Sequence, residues 1–196
     1  MAAILITGRP GSGKTTLVRR VLETLDMPAG GFYTRETRGP DGRRTGFELV
    51  TLDASLPDGQ GQVATLAHVG IRGPYRVGRY GVDVAALEQV GVPAIERAVA
   101  SGHLVVIDEI GKMELLSTTF RRAVAEALRR CVLFGTIMQA AHPFADELKA
   151  RPDTFVFELT EANRDQVRAQ VEARLRAAVA PGSEDPDLRS SLPTGF

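Results

Sequence analysis

Gly8-Arg9-Pro10-Gly11-Ser12-Gly13-Lys14-Thr15 fits the spacing G-x-x-x-x-G-K-[ST] at every fixed position. In front of it runs Ala2-Ala3-Ile4-Leu5-Ile6-Thr7, a short apolar stretch that reads as a buried strand. Behind it, Thr16-Leu17-Val18-Arg19-Arg20-Val21-Leu22 carries helical apolar spacing. A glycine-rich loop between a strand and a helix can turn successive backbone N–H groups inward around a polyanion. The helix start adds its own unpaired N–H groups and the positive end of its dipole. Lys14 is then placed to reach the β- and γ-phosphates of a nucleotide, and the Thr15 hydroxyl to coordinate Mg²⁺. Gly8, Arg9, Pro10, Gly11, Ser12, Gly13, Lys14, Thr15 and Thr16 form the expected phosphate-binding set.

Working outward, the apolar face Leu17, Val18, Val21, Leu22 and Leu25 predicts a helix of about three turns, ended by the breakers in Asp26-Met27-Pro28-Ala29-Gly30-Gly31. Two β-rich runs, Phe32 to Arg38 and Arg43 to Leu52, flank Gly39-Pro40-Asp41-Gly42 and read as an antiparallel hairpin. Short strands are predicted at Gln62 to Val69 and Tyr75 to Val77. Residues 30–82 thus read as an antiparallel β insert, and they hold seven arginines and no lysine. Beyond it, helical spacing from Val84 to Ala100 is bent or divided at Pro93, and the strand Leu104-Val105-Val106-Ile107 follows. A helix capped at Ser117 leads to a strand at Cys131 to Ile137, then a short helix around Phe144 to Ala150. The strand Thr154 to Leu159 and an amphipathic helix from Arg164 to Val179 close the pattern. Strands separated by helices predict an α/β fold: a mainly parallel sheet covered on both faces, with ligands at the carboxyl ends of its strands. Residues 1–180 form the expected single domain, and the Pro-, Gly- and Ser-containing stretch 181–196 an expected disordered tail.

That geometry makes Leu104-Val105-Val106-Ile107-Asp108-Glu109-Ile110-Gly111 the second candidate segment, since an acidic pair ending a buried strand reaches the same sheet edge as the phosphate loop. It has the form of a Walker B motif. Asp108 is the expected Mg²⁺ residue, through a coordinated water, and Glu109 the residue that orients or deprotonates an attacking water.

Gly8 to Thr16, Gly31-Phe32-Tyr33-Thr34, Gly42-Arg43-Arg44-x-Gly46-Phe47, Val106 to Leu115, Gly135-Thr136-Ile137 and Thr160-x-x-Asn163-Arg164 together resemble the THEP-type nucleoside-triphosphatases. The resemblance spans residues 1 to about 179, and Ile107-Asp108-Glu109-Ile110-Gly111-Lys112-Met113-Glu114 is its most specific part. It implies a P-loop NTPase core, a three-layer sandwich with an added strand and a catalytic glutamate, and Mg²⁺-dependent hydrolysis of several nucleoside triphosphates. Thr136 is a candidate γ-phosphate sensor, because this fold class places its strand between the first strand and the Walker B strand. Asn163 and Arg164 are candidate nucleotide contacts from the loop before the last helix. Lys112 is a candidate phosphate or acidic-network residue.

Composition narrows the alternatives. The chain of 196 residues is 43% hydrophobic, with 24 basic and 24 acidic side chains and zero net charge, so nothing in it favours a nucleic-acid partner. Of the basic residues, only Lys14, Lys112 and Lys149 are lysine, and two of these fall in motifs. The first apolar run is too short for a signal peptide or membrane span, and a lone Cys131 suits a reducing cytoplasm. His68, His103 and His142 form no metal cluster pattern. The leading expectation is hydrolysis of nucleoside triphosphate to diphosphate and phosphate. A nucleotide or small-molecule kinase whose insert binds an acceptor is the alternative, and in either case at least one of Arg35, Arg43 and Arg44 is expected to approach the γ-phosphate or a bound acceptor. A nucleotide-operated switch for an unspecified protein or RNA partner is the third, and the balanced charge weighs against RNA.

Overall fold

The computed structural model describes residues 1–25, 27–53 and 60–179. The expected tail at 181–196, and Asp26 of the expected helix-breaking segment, lie outside the described residues. One nine-stranded sheet organises the chain. Its elements in order are β1 (Ala3–Thr7), α1 (Lys14–Thr24), β2 (Ala29–Arg38), β3 (Arg44–Asp53), β4 (Gln60–His68), β5 (Arg76–Val77), β6 (Tyr80–Val82), α2 (Val84–Ala86), α3 (Val92–Ala100), β7 (Leu104–Ile110), α4 (Thr118–Arg130), β8 (Leu133–Ile137), α5 (Pro143–Lys149), β9 (Thr154–Glu158) and α6 (Arg164–Val179). The strand order is β5-β6-β4-β3-β2-β7-β8-β1-β9. From β2 to β9 in that order the neighbours are parallel, and from β2 to β5 they are antiparallel.

Strands buried on both faces alternate their side chains between two cores. Ala3 and Leu5 of β1, with Val105 and Ile107 of β7, join the core under α3, α4 and α5. Ile4 and Ile6, with Leu104 and Val106, join the core under α1 and α6. This is the expected three-layer arrangement. Helix α1 contributes Leu17, Val18 and Val21 to its core, which explains the apolar face legible in the sequence.

The insert is more closely woven into the sheet than its antiparallel hairpin suggests. Ala29 to Tyr33 pair in parallel with Leu104 to Asp108, while the same strand pairs antiparallel with β3. Gly30 and Gly31, read above as helix breakers, are therefore strand residues. Gly31 has φ +110, and a Cβ there would stand 2.1 Å from the Val106 carbonyl oxygen, so the close approach of β2 to β7 requires glycine. The bend expected at Pro93 takes the form of a π-helical turn, Leu87–Gly91, leading into α3 with Pro93 in its first turn. The helix continues through this point, Gly91 and Val92 both being right-handed helical, so Pro93, which lacks an N–H to donate, directly follows the wider turn. Ser117 caps α4 as expected, its Oγ accepting from the Phe120 N–H at 2.9 Å.

Candidate active site

β1, β8 and β7 lie side by side and end at the same edge, so the segments that follow them converge. From β1 the chain enters the loop through Gly8, Gly11 and Gly13, with φ of 150, 81 and 99, and begins α1 at Lys14. Arg9 and Pro10 are exposed on the loop's outer side, while Ser12 is buried and its Oγ has no hydrogen-bond partner among the described residues. The Lys14 ammonium donates to the Gly8 carbonyl at 3.0 Å and to that of Arg9 at 3.4 Å. Its charge is thereby held inside the curl of the loop. Thr16 is exposed at the start of α1.

From β7 comes Asp108, 1% exposed, where the pairing with β8 is irregular between Ile107 and Ile110. The Thr136 hydroxyl of β8 donates to its Oδ1 at 2.6 Å. Its Oδ2 is buried with no hydrogen-bond partner among the described residues. Burial pushes the Asp108 pKa above the usual carboxylate range, against hydrogen bonding from Thr136 and Thr15 and the charge of Lys14. Glu109 is raised chiefly by burial, opposed by Lys14 and reinforced by the neighbouring Asp108. Lys14, Thr15, Asp108, Glu109 and Thr136 thus form one electrostatic unit assembled from three parallel strands.

Not every expected residue belongs to that unit. Leu104, Val105, Val106, Ile107 and Ile110 sit in the two cores, because a strand covered on both faces commits its apolar side chains inward; they carry Asp108 to the edge instead of facing a ligand. Asn163 closes a capping box: its Oδ1 accepts from the Thr160 N–H at 2.8 Å and its Nδ2 donates to the Glu158 carbonyl at 2.9 Å. Arg164, next along, reaches the phosphate loop, donating from Nε to the Ser12 carbonyl at 2.9 Å. Lys112 is exposed in the turn after β7. The hairpin arginines meet local carboxylates: Arg35 pairs with Glu48 at 2.7 Å, Arg44 with Glu36 at 2.9 Å and Arg43 with Asp41 at 3.6 Å. The register puts Arg35 directly opposite Glu48, a cross-strand pair, while Arg43 meets Asp41 within the turn.

Two features were not foreseen. A cavity of about 300 Å³ opens beside the loop, between Thr16, Leu17 and Arg20 of α1 and Arg164, Asp165 and Arg168 of α6. Glu114, quoted above only as part of a motif, is 4% exposed, and its carboxyl accepts from the Gly111 N–H at 3.2 Å. Its sequence signal is an acid set between Met113 and Leu115 just after a buried strand. Burial first, then the charges of Glu109 and Asp108, push its pKa from 4.5 up to about 8, against backbone hydrogen bonds from Gly111 and its own N–H. The folded chain therefore keeps this proton where the unfolded chain has lost it, and each rise in pH between 4.5 and about 8 lowers stability. The thermal midpoint of the nucleotide-free protein should fall from about pH 6 to pH 8, and Glu114→Gln should flatten the fall. Parallel midpoint curves for the two proteins would contradict this.

The chain is similar to known proteins over most of its length. A model of the NTPase family matches residues 3–172. The chain belongs to that family. It is 45% identical to nucleoside-triphosphatase THEP1 of Thermotoga sp. (strain RQ2) over 169 residues, covering 86% of this chain and 92% of that protein. It is 39% identical to the human cancer-related nucleoside-triphosphatase, covering 84% of this chain and 91% of that one. The crystal structure of THEP1 from the hyperthermophile Aquifex aeolicus superposes with a TM-score of 0.77 at 35% identity, over 88% of this chain and 98% of that structure. Family membership thus agrees with the P-loop NTPase fold. Among the described residues, no helix is long and apolar enough to cross a membrane.

Proposed function

We propose that this chain hydrolyses nucleoside triphosphate to nucleoside diphosphate and phosphate. The observation that carries the reading is the joining of the phosphate loop to Asp108 and Glu109, with the Lys14 charge acting on both carboxyls. The donor set fits Mg²⁺: the Oδ2 of Asp108, buried with no hydrogen-bond partner among the described residues, and the Thr15 hydroxyl, which acts on that carboxyl, are hard oxygen groups. Thr15 would hold the ion directly and Asp108 through a water. Bound there, it would supply charge neutralisation for the phosphate oxygens.

The chain's own groups do the rest. Backbone N–H groups of the loop and the Lys14 ammonium bind the β- and γ-phosphates, and the cavity between α1 and α6 receives the nucleoside, bounded by Arg164. Glu109 takes a proton from water as its oxygen bonds to the γ-phosphorus. The bond from that phosphorus to the bridging oxygen breaks, and the diphosphate leaves with the bond's electrons. Its raised pKa makes Glu109 a stronger base than an ordinary carboxylate, and activity should fall as acid protonates it. Thr136, through its bond to Asp108, ties the metal residue to the strand between the loop and the Walker B segment. The free, buried Cys131 suits a reducing cytoplasm.

An acceptor-binding kinase would need hairpin arginines available to a ligand, and those named above are engaged with carboxylates. Phosphate release from the four common nucleoside triphosphates, with and without Mg²⁺ and across a panel of nucleosides and monophosphates, separates the readings. Mg²⁺-dependent release that the panel leaves unchanged is expected. A phosphorylated acceptor would make the chain a kinase, and absence of release from every triphosphate would remove the hydrolase reading.

Asp108→Asn tests the metal assignment. An amide supports metal hydration less well than a carboxylate, so half-maximal activity should require about 10- to 100-fold more Mg²⁺, with activity partly restored at high concentration. A loss of activity with unchanged Mg²⁺ dependence would assign Asp108 a structural role.

A further inference from the structure

Arg164 sits where a helix disfavours a cation. It opens α6, and a positive charge in a first turn meets the positive end of the helix dipole. Its contacts lie with the phosphate loop, 152 residues away in sequence, where its Nε donates to the Ser12 carbonyl at 2.9 Å. The guanidinium also packs on Gly13, since a Cβ built there would lie 3.5 Å from Nε and 3.8 Å from Cζ. The carboxylate it meets, Glu161, is 85% exposed and 3.9 Å away, so ion pairing does little to place it.

The segment that carries Arg164 is itself fixed against the loop. The Leu159 N–H donates to the Thr7 carbonyl at 2.8 Å, and a Cβ on Gly8 would stand 2.5 Å from the Leu159 carbonyl oxygen. The capping box of Thr160 and Asn163, with the Asn163 bond to the Glu158 carbonyl, then sets the direction in which α6 begins. One neighbouring segment thus holds the loop twice, by main chain at Gly8 and by a side chain at Ser12. The Ser12–Gly13 peptide is trans, so its C=O and N–H point in opposite directions. Drawing the carbonyl toward Arg164 therefore turns the Gly13 N–H away from that side chain.

We propose that Arg164 is a positioning residue for the phosphate loop: its Nε–H, by holding the Ser12 carbonyl, keeps the Gly13 N–H presented to the phosphates before a nucleotide arrives. This rests on the reading of Gly8 to Thr15 as the phosphate-binding loop. Arg164 acts through the loop, and not on the base or the γ-phosphate. An N–H already oriented needs no ordering on binding, so the gain appears as affinity for diphosphate and triphosphate alike. Glutamine places its Nε2 donor as many bonds from Cα as the Nε of arginine, without the charge, whereas methionine places a methyl group there. The two substitutions separate the hydrogen bond from charge and from bulk.

The test is titration of the full chain, wild type and carrying Arg164→Gln or Arg164→Met, with MgADP and with non-hydrolysable analogues of ATP and CTP, thermal midpoints being recorded for each protein. Arg164→Met should weaken all three ligands alike, by about tenfold, the scale of one hydrogen bond. Arg164→Gln should stay within about threefold of wild type, because the donor is kept. Steady-state hydrolysis should show the same split, KM rising in Arg164→Met while kcat moves far less, as expected for binding shared by ground and transition states. Wild-type affinity in Arg164→Met, or an equal loss in both variants, overturns the proposal. So does a loss confined to the triphosphates, which would put Arg164 on the γ-phosphate, or one that differs between the ATP and CTP analogues, which would put it on the base. Failure of either variant to fold would make Arg164 a residue of stability alone and overturn it as well. A wild-type chain that binds none of the three would remove the phosphate-loop reading and the proposal with it. Binding by wild type beside an unaltered Arg164→Met would remove the proposal alone. Binding needs no turnover, so the result stands apart from the hydrolase reading.

Discussion

Glu109→Gln should slow hydrolysis by about 10² to 10⁴, the range typical of a positioned general base, while leaving MgATP affinity close to that of the wild type. Glutamine keeps the shape of the side chain and its capacity to hydrogen-bond, so water can still be placed. It lacks the basicity to take the proton as the bond to phosphorus forms. Binding should survive because Lys14, Thr15 and Asp108 are untouched, and removing the charge at 109 also relieves its repulsion of Asp108. The variant should accumulate unhydrolysed triphosphate. Nucleotide titration and single-turnover phosphate release read the two halves separately. Normal release rates would deny Glu109 its role, and weakened binding would mean that it holds the metal or the loop. A kinase whose acceptor is deprotonated elsewhere would keep transfer in this variant and lose only hydrolysis.

Lys14→Ala should affect both binding and turnover. The loop would keep its backbone N–H groups, but the ammonium now held between the carbonyls of Gly8 and Arg9 would be gone, and with it the mobile cation that follows charge onto the bridging oxygen. Loss of one such charged donor costs about 10² to 10³ in rate before any loss of affinity is counted. Lys14→Arg should not restore activity, because a planar guanidinium is too broad for a position that suits a compact point charge. Asp108 and Glu109 would also lose the Lys14 charge that acts on both, so both carboxyls should titrate at higher pH in Lys14→Ala. Equal affinity and turnover in wild type and Lys14→Ala would withdraw the phosphate-loop assignment.

What sequence reading resolved and what it missed divides along the range of the interactions involved. The phosphate loop, the acidic pair after a buried strand, the Ser117 cap and the start of α6 at Arg164 are local patterns, each fixed by neighbouring residues. Gly30 and Gly31 were read as breakers because glycine after a helix usually serves that end; only the approach of Val106 from a distant strand shows why glycine stands there. The role of the hairpin arginines likewise depended on register, which sets Glu48 opposite Arg35. Asn163 and Arg164 are adjacent in sequence yet diverge in space, one spent on a helix cap and the other turned to Ser12. Glu114 was visible as a residue but not as a buried acid, since its burial arises from the turn that folds it back on Gly111.

The central claim is that water, held at Glu109, attacks the γ-phosphorus of a triphosphate bound at the loop. It is tested most directly by a single turnover in water enriched in heavy oxygen, with mass analysis of both products. The account predicts one solvent oxygen in each phosphate released and none in the nucleoside diphosphate. Heavy oxygen in the diphosphate, or phosphate appearing on an acceptor without solvent oxygen, would contradict it.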